Sequence, residues 1–261
     1  GQKEKTVKRQ GIEVMVALDI SNSMLAEDVV PNRLDRAKQM LSKMIDNMVD
    51  DKVGLVVFAG EAFTQLPITC DYVSAKMFLN TITPSMIQTQ GTAIGAALQT
   101  AITSFGTQDS EAGRAIILIT DGEGHDQGSE AAIAQAKAQG AIICAIGIGT
   151  PEGTPLKING EIMEDNEGKM VVTKLGEPLL QQLAEATGGI YTRSRNESFG
   201  LEEIIARLDE MEATELSLMT FEEYDEQYQW FLGVALLLLV AEMLIFERRN
   251  PLLKGVRLFE R

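Results

Sequence analysis

Apolar and polar positions along this chain fall into two alternating rhythms. EVMVALD, KVGLVVFAG, RAIILITDG and AIICAIGIG are nearly unbroken apolar runs of strand length, and GIYTR is a weaker one. Runs this continuous are covered on both faces, as in a mostly parallel sheet. Helical spacing fills the gaps: RLDRAKQMLSKMIDNMV, a segment near 72–79, another starting near Thr92, SEAAIAQAKAQ and PLLQQLAEAT. The alternation predicts an α/β fold, a doubly wound Rossmann-like αβα sandwich over residues 11–210. AFTQLPI reads as a hairpin partner at the sheet edge. TPLKINGEIMEDNEGKMVVTKL, near 150–175, is too polar and glycine-broken for core and reads as a hairpin excursion. After a helix near LEEIIARLDEM, residues 211–228 read as a stalk or edge strand. Residues 1–10 form a polar lead.

Hydrophobicity then concentrates at the end of the chain. WFLGVALLLLVAEMLIF, from Trp230 to Phe246, holds one charge, Glu242. It is slightly short of the ~20 residues that span a bilayer core, and Tyr228 and Phe246 extend it. The approach is acidic and aromatic; the exit is basic, with Arg248 and Arg249 leading a tail over 248–261. That asymmetry predicts a transmembrane helix over 229–247 with a cytoplasmic C-terminus and the domain outside. A buried or oligomer-forming helix is the alternative, since Glu242 is costly in lipid.

Charge narrows the function. The chain has 261 residues and a formal charge of -15, with no dense Lys/Arg run to neutralise phosphates. Nucleic acid is therefore not an expected partner. Two cysteines, Cys70 and Cys144, make no disulfide framework.

Ligands in such folds gather at the carboxyl ends of the strands. Three loops arrive there with oxygen side chains. In DISNS, Asp19 ends a strand and Ser21 and Ser23 follow at alternate positions. In TQGTAIGAAL, Thr92 opens a helix beside Gly91, and in TDGEG, Asp121 ends a strand. Read singly, these residues also serve as turn and capping groups. As a set, hard oxygens without paired histidines favour Mg²⁺ over zinc, with Mn²⁺ or Ca²⁺ as variants. An octahedral ion would keep a position for an outside ligand, for which an Asp or Glu of a protein partner is suited. Met86, Gln90, Glu123 and His125 would form the rim, although the lone His125 also fits an ordinary loop. No GxxxxGK phosphate loop is present. Position 21 is Ser, where a dehalogenase-type phosphoryl-transfer site wants a second Asp. The expectation is a binding module and not an enzyme, with a scaffold carrying an idle metal site, or a metal-dependent hydrolase, as alternatives.

The order Asp19-x-Ser21-x-Ser23, then Thr92, then Asp121 resembles the metal-ion-dependent adhesion site (MIDAS) of von Willebrand factor type A domains. LDISNSMLAEDVVPNRLDRAK, VGLVVFAGEAFTQLPITCDY and the tail DEQYQWFLGVALLLL look like the membrane-anchored BatA and BatB proteins of aerotolerance-type operons, BatB above all. The resemblance implies an αβα domain whose two serines bind the ion directly. It also implies two transmembrane helices ahead of the domain and one after it, in a bacterial inner membrane, with the domain in the periplasm. Other Bat-type membrane proteins and a MoxR-type ATPase are the partners it implies.

Overall fold

The computed structural model describes residues 11–106, 112–124, 128–158, 160–164, 167–222 and 228–247, and side chains within these except 212–229 and 243–247. The chain divides into two units, Gly1–Leu218 and Met219–Arg261.

In the first unit the elements run β1 (Glu13–Asp19), α1 (Arg33–Asn47), β2 (Lys52–Phe58), β3 (Ala62–Thr69), α2 (Tyr72–Thr81) and α3 (Ile94–Ser104). They continue with β4 (Arg114–Thr120), α4 (Ser129–Ala138) and β5 (Ala141–Ile148). Four two-residue strands follow: β6 (Thr154–Pro155), β7 (Lys157–Ile158), β8 (Glu161–Ile162) and β9 (Val172–Thr173). Last come α5 (Glu177–Thr187), β10 (Tyr191–Ser194) and α6 (Leu201–Glu222). One six-stranded sheet has the order β10-β5-β4-β1-β2-β3. Every pairing in it is parallel except β2 with β3, which is antiparallel and closes one edge.

The two-residue period of β1 shows why the apolar runs are continuous. Val14, Val16 and Leu18 pack with α1, α2 and α6, through residues such as Met40, Leu79 and Ile204. Met15 and Ala17 pack on the opposite face with α3, α4 and α5, through Leu98, Ala132 and Leu180. Successive side chains of a strand point to opposite faces, so a sheet with helices on both sides needs apolar residues at every position. At ~25 cal/mol per Å² of apolar surface removed from water, each fully buried leucine or isoleucine stabilises the sandwich by about 2 kcal/mol.

Local chemistry sets the helix starts. Asn32 caps α1: its side-chain oxygen accepts from the Asp35 amide at 2.8 Å, and its amide donates to the Asp35 carboxylate at 2.7 Å. Asp71 caps α2 by accepting from the Ser74 amide at 3.0 Å. The expected edge strand or stalk over 211–228 is helical as far as Glu222, as the end of α6.

The second unit contains α7, Tyr228–Glu247. Among the described residues no helix is long and apolar enough to cross a membrane. The transmembrane span expected over 229–247 is therefore corrected, and the inner-membrane, periplasm-facing placement built on it is not borne out. The physical reason lies in where the charge falls. The uncharged run from Trp230 stops at Glu242, and at 1.5 Å per residue it makes about 18 Å of helix, against ~30 Å of hydrocarbon. Arg248 and Arg249 lie outside the described residues.

Candidate functional site

β1 and β4 are neighbours in register, with Leu18 opposite Ile119. Both strands therefore deliver their terminal acids to the same end of the sheet. Asp19 and Asp121 are completely buried there. The Asp19 carboxylate accepts from the Ser21 amide at 2.9 Å through one oxygen and from the Thr120 hydroxyl at 2.6 Å through the other. Asp121 accepts from the Glu123 amide at 3.1 Å and, through its second oxygen, from Arg33 Nη1 at 2.9 Å. Burial pushes the Asp19 carboxyl up to about 7, the Asp121 charge pushes the same way, and the Thr120 and Ser21 bonds pull against both.

Arg33 is the cation of this cluster. Its side chain has no exposed surface, although it is the first residue of α1. A positive charge opposes the helix dipole at that position, so the sequence places it there at a cost that acids must offset. Asp28 does so with a two-point bond, at 2.8 Å to Nε and 2.7 Å to Nη2. Nη1 also donates to the Thr173 hydroxyl at 2.8 Å. Burial pushes Asp28 up, but its bonds and attraction to Arg33 outweigh that and hold it below the ordinary carboxylate value. The same carboxylate accepts from the amide and the hydroxyl of Thr150, at 2.8 and 3.0 Å.

The loops above this floor are tied to one another. Ser21 and Ser23 hydroxyls lie 2.9 Å apart. Gln90 accepts from the Asn22 amide at 3.0 Å and donates to the Ile87 carbonyl at 3.1 Å, joining the first and second loops. Gly124 sits against Thr92, so that a Cβ on it would lie 2.6 Å from the Thr92 carbonyl oxygen. Gly122 has a φ of +71°, and a Cβ there would meet the Gly176 carbonyl at 2.5 Å. Only glycine fits that crossing, where the Gly176 amide donates to the Asp121 carbonyl at 2.8 Å. The Glu123 side chain turns toward Thr173 and Lys174, accepting from the Thr173 hydroxyl at 2.6 Å and the Lys174 amide at 2.5 Å. Met86 is 40% exposed, and Gln90 is exposed. His125 lies outside the described residues.

The ligand set proposed from sequence can now be tested as a metal site. Each of the four oxygens of Asp19 and Asp121 already accepts a hydrogen bond from within the protein, and Arg33 supplies the balancing positive charge. No oxygen of this cluster is among the buried side-chain atoms left without a partner. Among the described residues no group of three or more His, Cys, Asp or Glu could hold a metal ion. The expected Mg²⁺ site, with its Mn²⁺ and Ca²⁺ variants, is corrected on these grounds, and with it the membrane-anchored, metal-dependent function. Arg33, Asp28, Thr120 and Thr173 are the residues that sequence reasoning missed. The signal for the first was a basic residue in a helix's first turn five positions after an acid.

An αβα sandwich with strand-end acids of this kind is the von Willebrand factor type A arrangement, and residues 14–123 match that domain family. Across a longer stretch the chain is similar to the BatB protein of Bacteroides thetaiotaomicron, with 48% identity and a TM-score of 0.73. The match covers 78% of this chain and all of that one. A solved aerotolerance-related membrane protein from Bacteroides fragilis is 50% identical, covering 77% of this chain and all of that one, again with a TM-score of 0.73. The chain belongs to the BatB-like family of von Willebrand factor type A proteins. A curated UPF0353 protein of Mycolicibacterium paratuberculosis is 31% identical over 67% of this chain, which spans 53% of that relative's length. Domains of this family are generally protein-interaction modules and not catalytic enzymes.

Proposed function

We propose that this chain is a protein-binding module whose partner surface is the loop face at the carboxyl ends of β1 and β4. Asp19, Ser21, Ser23, Thr92 and Asp121 form its floor. Met86, Gln90 and Glu123 form its rim. The observation that carries this reading is the division of labour in the cluster. The buried acids are bonded inward, to Thr120, Arg33 and loop amides, and the rim above them is exposed yet pinned by the Gln90 bonds to Asn22 and Ile87. A surface held in one shape binds without the entropic cost of ordering loops. Kinship with Bat proteins supports other Bat-type proteins as the partners in this reading.

The test is the affinity of the purified full chain for another Bat-type protein from the same cells. Met86→Asp and Gln90→Lys should each weaken it at least about tenfold, because each puts an unpaired charge where the partner must exclude water. Unchanged affinity in both variants would overturn the assignment of this face.

A further inference from the structure

The 150–175 excursion is fastened to the site at both ends. Thr150 donates twice to Asp28, and Thr173 is held by Arg33 and Glu123. Its strand β7 also leans on the turn Asn22–Leu25 that follows Asp19. Thus the excursion forms a wall beside the loop face.

Its strands pair antiparallel, with Pro155 opposite Val172, Lys157 opposite Ile162 and Glu164 opposite Met170. Residues directly opposite in such a ladder share a face. The alternate positions turn inward: Leu156 and Thr173 are buried, and Met163 and Val171 are half-buried. A ribbon with one covered face ordinarily carries polar residues on the other. Here the outer face carries Ile162, Met170 and Val172, each about half exposed at 50%, 50% and 47%, between the exposed Lys157 and Glu164. The inner face and both ends account for the fold of the excursion. Among the described residues of the first unit, no packing accounts for three large apolar side chains on the outside.

We infer that this outer face is the apolar part of the partner interface, and that it takes a Bat-type protein presenting apolar side chains framed by Lys and Arg. The inference rests on the binding reading above and extends it to a second element. Charge argues for the framing. Acids outnumber bases over 150–175, and the whole chain carries -15. The same charge argues against a second copy as occupant, because two such chains repel, whereas a basic rim is drawn in. Continuity argues for the location, since the ribbon is clamped to the network that supports the loop face. A rigidly held apolar cluster beside polar loops is the usual build of an interface core with its rim.

The experiment uses the full chain against the purified Bat-type protein of the previous test, read by biolayer interferometry at 50 and 300 mM salt. Ile162→Asp and Met170→Asp should each weaken binding at least tenfold with helical content unchanged by circular dichroism. Val172→Thr, which keeps the β-branched shape, should weaken it measurably and guards against misfolding in the other two. Wild-type affinity should fall as salt rises. If the three variants bind like wild type while Gln90→Lys does not, this inference is overturned and the loop-face reading stands. If wild type binds no Bat-type protein, the reading fails and the inference with it. Concentration-dependent dimers in sedimentation that vanish in Ile162→Asp would make a second copy the occupant and overturn it too.

Discussion

Replacing Arg33 by Met keeps most of the side-chain volume and removes the charge. The consequence is calculable from its surroundings. Arg33 and Asp121 have no exposed side-chain surface and Asp28 has 6%, so water cannot take over the lost bonds. At 2.9 Å and an effective dielectric of ~20, the attraction between Arg33 and Asp121 is about 6 kcal/mol. Desolvation of both ions offsets much of that, and measured costs of stripping one partner from a buried pair are about 3–5 kcal/mol. A domain stabilised by ~5–15 kcal/mol would lose a large part of its margin. Urea denaturation of the wild type and Arg33→Met at pH 7 should show that loss as a lower midpoint at unchanged slope. The triple variant Arg33→Met/Asp28→Asn/Asp121→Asn should recover more than half of it, because both acids that Arg33 pairs with are then neutral. The pH dependence has a definite sign. Asp28 is held below its ordinary value of 3.8 in the fold by Arg33, so it contributes stability above that value and loses it on acidification. The gap between wild type and variant should therefore narrow below about pH 4. A cost under ~1 kcal/mol, or a gap that does not narrow, would refute the view that Arg33 balances the acids beneath the loop face.

Three further outcomes are expected. Asp19 is raised from 3.8 to about 7, so the native state holds its proton more tightly and stability declines as pH rises between those values. Asp19→Asn should abolish that decline, so that the wild type loses stability relative to the variant as pH rises; parallel stability curves from pH 4 to 8 would contradict it. Gly122→Ala forces a Cβ to 2.5 Å from the Gly176 carbonyl at a φ of +71°, and thermal unfolding should show a loss of more than ~1 kcal/mol. Asn32→Ala removes the α1 cap and should cost ~1 kcal/mol in the same assay, whereas an unaltered midpoint would mean that the cap contributes nothing.

The αβα layering is written in the sequence because it depends on period alone. Val14, Met15, Val16 and Ala17 are all apolar because both faces of β1 are covered, and no long-range information is needed to see it. AFTQLPI was also readable as the antiparallel edge, since Pro67 cannot donate to a ladder and suits an outer strand. The acids at strand ends were found for the same reason. Their bonding was not. Arg33 reaches Asp121 across 88 positions and Thr120 reaches Asp19 across 101, and neither pairing leaves a local trace. A donor set read without those partners looks like a metal site with open oxygens. The transmembrane reading failed on a different point. It rested on the length of the apolar run and the charges flanking it, whereas the uncharged stretch stops at Glu242, whose charge is costly in lipid.

Hydrogen exchange of the full chain, alone and mixed with another Bat-type protein from the same cells, tests the central claim most directly. The account predicts slower exchange on binding in residues 20–25, 84–92 and 121–124, with the bodies of α4 and α5, on one flank of the sheet, unchanged. Protection confined to α4 and α5, with those three loops exchanging as in the free protein, would contradict it.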